Sequence, residues 1–317
     1  MSYIKGEKSV IFVSARRGYI AEGICAEGFD VVYPYRDKTL FGRVIREIWF
    51  KCGLPELVWY TKIKKKVDII VVQDPLITKE YLEWLKKTHP NSKINFMYGN
   101  MVGKAKHLLP YEVPNSISIW TYDSYDAKKY GLNLYKGGYS RLFIGTKKET
   151  QYDVFYIGAD KEGRGEYILD LQRKMEELGV KTKYIITPNG RFAKKKVYHS
   201  KPIPYSKVIE YINKSRAVLN IAMPNQTGAT IRDFESIFNS IKLITTNRSI
   251  KNYDFYREEN VFILGERNLS ELVCFLNSPF QPIEGEILKK YTITALVEEI
   301  VATNKISIEI DYKENRE

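Results

Sequence analysis

Short apolar runs alternate with stretches of helical periodicity along almost the whole chain. In the first half the runs are residues 9–15 (SVIFVSA), 29–35 (FDVVYPY), 67–73 (VDIIVVQ), 93–98 (KINFMY) and 117–122 (ISIWTY). They are rich in β-branched and aromatic residues and bounded by polar or turn-forming ones, which reads as strand. Between them the apolar period becomes helical over 39–52, 78–88 and 123–130. Thr78 heads TKEYLEWLKK with Glu80 early and lysines late, as an N-cap and the helix dipole favour. The plan then restarts, with strands expected at 153–157 (DVFYI), 182–187 (TKYIIT), 217–223 (AVLNIAM), 242–246 (KLITT) and 260–264 (NVFIL). In GEYILDLQRKMEELG (165–179), Ile168, Leu171, Met175 and Leu178 share one helical face, and Gly179 sits where a C-cap belongs. A helix also closes the chain over 288–304, followed by a charged tail. Strand–helix alternation predicts βαβ units and parallel sheets. Residues 130–151 are rich in Gly, Lys and Tyr and only weakly periodic. They divide the chain into two doubly wound, Rossmann-like α/β domains, 1–148 and 149–317, with the last helix expected to pack back on the first.

Composition narrows the class. The 317 residues are 44% hydrophobic, enough to bury the cores of two domains. The longest apolar run, within 67–72, is too short to span a membrane, and the opening residues hold too brief an apolar stretch for a signal peptide. Cys25, Cys52 and Cys274 are odd in number and far apart, matching neither a disulfide framework nor a C-x-x-C metal pair. A cytoplasmic location is expected. Fifty Lys+Arg against 38 Asp+Glu give a net charge of +12, which draws the protein towards nucleic acid, an anionic membrane surface or phosphorylated substrates. The lysines cluster at 62–66 (KIKKK), 86–87, 147–148 and 194–196, each also readable as a solvated face. The tyrosines form no K/R-G-F/Y recognition pattern, so a nucleic-acid partner is not expected.

Open α/β sheets bind ligands at the carboxyl ends of their strands. The most informative strand end is LNIAMPNQTGATIRDFE (219–235). A buried strand runs into Asn225, Gln226, Thr227 and Gly228, and a helix opens near Ala229. Gly228 lets a ligand approach the backbone, and amides at a helix start can hold a phosphate. Thr227 and Thr230 add hydroxyls. Arg232 offers a planar charged fork, and Glu235, one turn on, a carboxylate for ribose hydroxyls. The plainer alternative is a turn followed by an Arg232–Glu235 ion pair. A second strand end, DVFYIGADKEGRG (153–165), carries Gly158, Lys161 and Arg164. It is neither a dinucleotide fingerprint nor a phosphate loop, so phosphate contact competes with a simple basic connection. In IPYSKVIE (203–210), Tyr205 either stacks on a base or packs the helix entry.

Together these segments resemble the C-terminal domain of GT-B glycosyltransferases, above all bacterial enzymes of capsule, lipopolysaccharide and exopolysaccharide assembly. The residues that carry the likeness are DVFYIGADKEGRG, YSKVIEYINKSRAVLNI, NQTGATIRDFE and KLITTN, with WTYDSYDAKKYGL (120–132) similar to the segment closing their N-terminal domain. The resemblance implies a GT-B arrangement: the second domain binds a nucleotide-diphosphate sugar and the first an acceptor, with the domains facing a central cleft. It places residues 226–230 and Arg232 on the diphosphate and sugar, and Glu235 on the ribose. Retaining members commonly carry a second glutamate where this chain has Thr227, so stereochemistry does not carry over. No D-x-D triad is present. The family generally needs no divalent ion, so no cofactor and no metal are expected, with basic groups stabilising the leaving diphosphate.

Sugar transfer with inversion needs a base near the acceptor hydroxyl. Asp74, directly after VDIIVVQ, is the best-placed carboxylate, although a helix-entry or turn role before Pro75 explains it more simply. The histidines are His89, His107 and His199. Gly18, beside Arg16 and Arg17, and Asn100, after strand 93–98, are expected on the acceptor side. The expected partners are a nucleotide sugar and a glycan or lipid-linked acceptor, with peripheral contact at the inner face of the membrane. A sugar-nucleotide epimerase or polyol-phosphate transferase on the same donors is the alternative, and a basic nucleic-acid-binding module a more distant one.

Overall fold

The computed structural model describes residues 3–4, 8–14, 18–37, 39–104, 108–190 and 193–303. Arg16, Arg17 and His107, singled out above, lie outside them. The chain forms two compact units. The first takes the chain up to Ser140 and resumes at Thr292; the second is Arg141–Tyr291.

The first unit contains β1 (Tyr3–Ile4), β2 (Lys8–Ser14), α1 (Tyr19–Ala26), β3 (Asp30–Val32), α2 (Leu40–Lys51), β4 (Ile69–Gln73), α3 (Lys79–Thr88), β5 (Lys93–Met97), β6 (Ser118–Thr121), α4 (Ser124–Tyr130) and β7 (Asn133–Leu134). These strands form one seven-stranded sheet in the order β1-β2-β4-β5-β6-β7, with β3 also on β2. All pairings are parallel except β1 with β2. Alternation decides the two faces. Ile11, Val13, Ile70, Val72 and Phe96 enter one core with Tyr81, Leu82 and Leu85 of α3. Val10, Phe12, Ile69, Val71 and Met97 enter the other with Ile24 of α1. Thr39, Thr78 and Asp123 cap α2, α3 and α4 with side chains that accept backbone N–H bonds.

The second unit runs β8 (Tyr152–Ala159), α5 (Gly165–Glu177), β9 (Thr182–Thr187), α6 (Tyr205–Asn213), β10 (Ser215–Asn220), α7 (Ile231–Phe238), β11 (Lys242–Thr245), β12 (Val261–Ile263), α8 (Leu272–Asn277) and α9 (Gly285–Lys289). Its five strands are all parallel, in the order β12-β11-β10-β8-β9. Val154, Tyr156, Ala217, Leu219 and Ile244 face α5 and α8. On the opposite face Phe155 stacks on Tyr211 of α6 at 5.4 Å. Both units are therefore α/β with helices on both faces of a sheet that is wholly parallel in the second unit and parallel but for β1 in the first.

The change of unit falls at Ser140 rather than near 148, because residues 141–151 are held by the second unit. Gly145 N–H donates to Asn239 Oδ1 at 2.8 Å, Lys148 N–H to the Asn213 carbonyl, and the Phe143 ring meets Tyr205 edge-on at 4.7 Å. The last helix, α10 (Ile293–Ala302), belongs to the first unit. Its Ile293, Leu296, Val297 and Ile300 pack on Phe12 and Met97, and Lys93 Nζ donates to the Ile300 and Thr303 carbonyls at its end. Each fully buried aliphatic side chain contributes roughly 1.5–3 kcal/mol, so α10 forms part of this core.

Candidate functional site

Strand order locates the crevice before any side chain is considered. In the second unit the first strand in sequence, β8, lies between β9 and β10, so successive connections depart in opposite directions. The switch point falls between the carboxyl ends of β8 and β10. Two of the segments singled out in the sequence meet there. Arg164, after β8, reaches across: its Nη1 donates to the Ile221 carbonyl at 2.7 Å and its Nε to the Ala159 carbonyl at 3.4 Å. Gly158 leaves room for the Tyr156 side chain, since a Cβ there would collide with its hydroxyl, whereas Arg164 Nη2 would stay at an ordinary contact distance of 3.6 Å. Lys161 is half-buried beside it. Burial and then the Arg164 charge push its pKa below the ordinary lysine value.

The Tyr156 hydroxyl is buried and has no hydrogen-bond partner among the described residues. Burial raises its pKa, while the charges of Arg164 and Arg232 pull it down. Both guanidiniums thus act electrostatically on one buried phenol near the switch point.

The loop from β10 to α7 has a fixed shape. Asn225 is exposed at its tip with φ +62°, in the left-handed region, where Asn is tolerated better than most residues. Gln226 closes the turn: its N–H donates to the Met223 carbonyl, and its Oε1 accepts the Met223 N–H at 2.9 Å. Thr227 is half-exposed and Gly228 buried. The Gly228 carbonyl accepts from Asn247 Nδ2 at 3.4 Å, and Ala229 N–H donates to the Tyr253 hydroxyl at 2.7 Å.

The start of α7 departs from expectation. Thr230 is its N-cap, accepting the Arg232 N–H and donating its hydroxyl to Asp233 Oδ2, which in turn accepts the Thr230 N–H at 2.6 Å. Asn220 Nδ2 holds both oxygens of Asp233. A capping box satisfies the amides reserved above for a phosphate, and the Thr230 hydroxyl is committed to it. Glu235 also departs from expectation. It is fully buried, ion-paired with Arg232 and bonded to the Tyr205 hydroxyl at 2.5 Å. Burial raises its pKa, with Arg232 opposing. No oxygen of Glu235 is presented to solvent for a ribose. Tyr205 packs the helix entry between Glu235 and Phe143.

One cluster was not legible in the sequence. Asp160, buried at the end of β8, accepts the Gly165 N–H at 2.8 Å, the Tyr198 hydroxyl at 2.9 Å and His199 Nε2 at 3.0 Å. His199 Nδ1 accepts the Lys196 N–H, so its ring proton resides on Nε2 and both nitrogens are occupied. Burial raises the Asp160 pKa, but these bonds and nearby Lys196 outweigh it and hold the carboxyl down at about 2. The latch fixes the 194–199 loop to the strand end, with Lys196 Nζ 3.4 Å from Asp160. The partners are 38 and 39 positions apart, beyond any local motif.

In the first unit the switch point falls between β2 and β4, where Ser14 pairs in register with Gln73. Asp74 follows at once, half-buried, its N–H bonded to the Met97 carbonyl at 2.9 Å. Gly18 is exposed with open space around it, Asn100 is half-buried after β5, and Gln73 Oε1 is buried with no partner among the described residues. His89 is committed to the Ile63 carbonyl and Thr88. Among the described residues no three His, Cys, Asp or Glu converge as a metal site.

No family model and no curated protein matches the sequence. Several solved structures are similar. One is the DNA-modifying enzyme β-glucosyltransferase, solved with and without uridine diphosphoglucose. It has 13% identity over 92% of this chain and 94% of that one, at a TM-score of 0.47. A second is Anabaena Alr3699/HepE in complex with UDP and glucose, with 8% identity over 93% and 98% at a TM-score of 0.48. A third is an α1,3-fucosyltransferase with GDP, with 11% identity over 98% and 96% at a TM-score of 0.45.

Proposed function

We propose that the chain is a GT-B glycosyltransferase. It takes a nucleotide-diphosphate sugar at the switch point of the second unit and transfers the sugar to a glycan or lipid-linked acceptor of bacterial surface polysaccharide, bound by the first unit. The observation that carries this reading is the Arg164 guanidinium, held across the carboxyl ends of β8 and β10 by the Ile221 carbonyl with half-buried Lys161 beside it, while Arg232 follows β10 in the first turn of α7. In the transfer the bond from the anomeric carbon to the diphosphate breaks and the acceptor oxygen takes its place. The diphosphate leaves with the electron pair, and the acceptor proton passes to a base. Preorganised positive charge is what the leaving diphosphate requires, and Arg164 and Lys161 can supply it without a divalent ion. Asp74 is the carboxylate we assign as base, on its position at the switch point of the first unit.

Titration calorimetry with UDP, GDP, dTDP and CMP, and with the parent nucleosides, tests the donor site. One diphosphate is expected to bind. Arg164→Ala is expected to weaken it about tenfold or more while changing nucleoside affinity little. A folded chain indifferent to all four nucleotides ends the proposal.

A further inference from the structure

Helix α2 is turned outward from what its composition leads one to expect. Among its residues of described burial Arg46 is the buried one, 4% exposed, with its guanidinium 4.0 Å over the Tyr35 ring and paired with Asp37 at 3.0 Å. Phe41, Val44, Ile45 and Ile48, spaced i, i+3, i+4 and i+7, share the opposite face and are exposed, Phe41 at 74% and Ile48 at 56%. The following turn continues the patch with Leu54, Leu57 and Val58, all exposed. Trp49 ties that turn to the helix, its Nε1 donating to the Pro55 carbonyl at 3.0 Å and its ring meeting Trp59 at 6.5 Å. Scattered exposed apolar residues are ordinary, whereas a contiguous stripe on one helix marks an interaction surface.

Charge identifies what the stripe meets. Lys62 follows Val58 by four residues, at most about 14 Å of chain. Lys62, Lys64, Lys65 and Lys66 are all exposed. Of these, Lys65 pairs with Asp30 at 3.2 Å, both half in solvent. Nearby acidic groups are few: Glu47 is exposed on α2, Asp37 pairs with Arg46, Glu56 turns inward to Tyr60 and Thr78, and Asp68 bonds to Ser9. An apolar helical face bordered by lysines is the composition of an interfacial helix on an anionic bilayer. A second copy seated face to face would bring two lysine sets together, which disfavours self-association.

We propose that the outward face of α2, with Leu54, Leu57 and Val58 and the Lys62–66 cluster, docks the first unit onto an anionic lipid surface. The surface is distinct from the crevice residues and does not depend on the donor reading.

Flotation of the full chain with vesicles of phosphatidylcholine, alone or mixed with phosphatidylglycerol, tests this. The chain is expected to float with the mixed vesicles and little with the neutral ones. Phe41→Ser with Ile48→Ser, both on exposed positions, should lower the bound fraction about tenfold or more with melting temperature unchanged. Replacing Lys62, Lys64, Lys65 and Lys66 by Gln should abolish the preference for anionic lipid, again by about tenfold or more. Nucleotide affinity of these variants should equal that of the parent, which separates failure here from failure of the donor site. No flotation at low salt, flotation unaffected by either variant, or a dimer dissolved by the serine pair with flotation unchanged would each overturn the proposal. Should the serine pair not fold, the lysine variant decides alone.

Discussion

Arg164 Nη1 and the Ile221 carbonyl, 57 positions apart in the chain, meet at 2.7 Å and join the end of β8 to the end of β10. The bond fixes the guanidinium where the sheet opens. Arg164→Ala should therefore reduce two things together. Stability should fall by about 1.5–3 kcal/mol, the range for a charge-assisted hydrogen bond, as read in chemical denaturation. Diphosphate affinity should fall in the same variant. A loss of one without the other would show that the residue holds the loop or the ligand, but not both.

Thr230 offers a contrast, because its hydroxyl closes the capping box of α7. Thr230→Ala should lower stability by about 1 kcal/mol, as loss of an N-cap does, and leave nucleotide affinity where it was. Denaturation and calorimetry on one preparation check both halves.

The Asp160 latch sets an acid limit. The folded pKa, about 2, lies below the ordinary aspartate value of 3.8, so between them the unfolded chain binds more protons. The contribution is complete above that ordinary value and is lost as pH falls towards 2. Its size is about 2 kcal/mol, from the shift and the energy of one pKa unit. The difference in unfolding free energy between the parent and Asp160→Asn should shrink over that window and hold constant above it.

Glu235 has no oxygen facing water, and its partners are Arg232 and Tyr205. Arg232→Ala leaves a buried carboxylate without its counter-charge and should cost about 3–5 kcal/mol. Glu235→Gln removes the charge that needs compensation and should cost less. Melting curves of the two variants give the order directly, and the reverse order would mean that Glu235 is solvated in solution.

Much of the architecture was readable because parallel strands buried on both faces are short continuous apolar runs. Each of the ten runs expected as strands contains one, with 182–187 matching β9 at both ends, while 29–35 keeps only Asp30–Val32 and 217–223 stops at Asn220. The edge pieces β1 and β7, of two residues each, carry too little pattern to be seen. Helix α1 was missed because Gly18 stands at its N-cap position and Gly23 interrupts it, so neither a side-chain cap nor a clean period announces it. At the candidate site the residue types were visible but their commitments were not. Thr230 and Glu235 read equally well as ligand contacts, and only packing shows the first bonded to Asp233 and the second enclosed. The link of His199 to Asp160 and Tyr198 escaped notice because tertiary structure alone brings them together.

The chain leaves the first unit and returns to it almost at one point: Tyr139 bridges Thr292, and the Ile293 N–H donates to the Tyr139 carbonyl at 3.2 Å. In topological terms the second unit is a cassette inserted into a loop of the first. Its removal would leave a gap that a few residues can close, whereas cutting the polypeptide after Tyr291 would strip α10 from the core that Val10 and Phe12 help to build. Exchanging the second unit between chains of this connectivity therefore calls for two junctions rather than one.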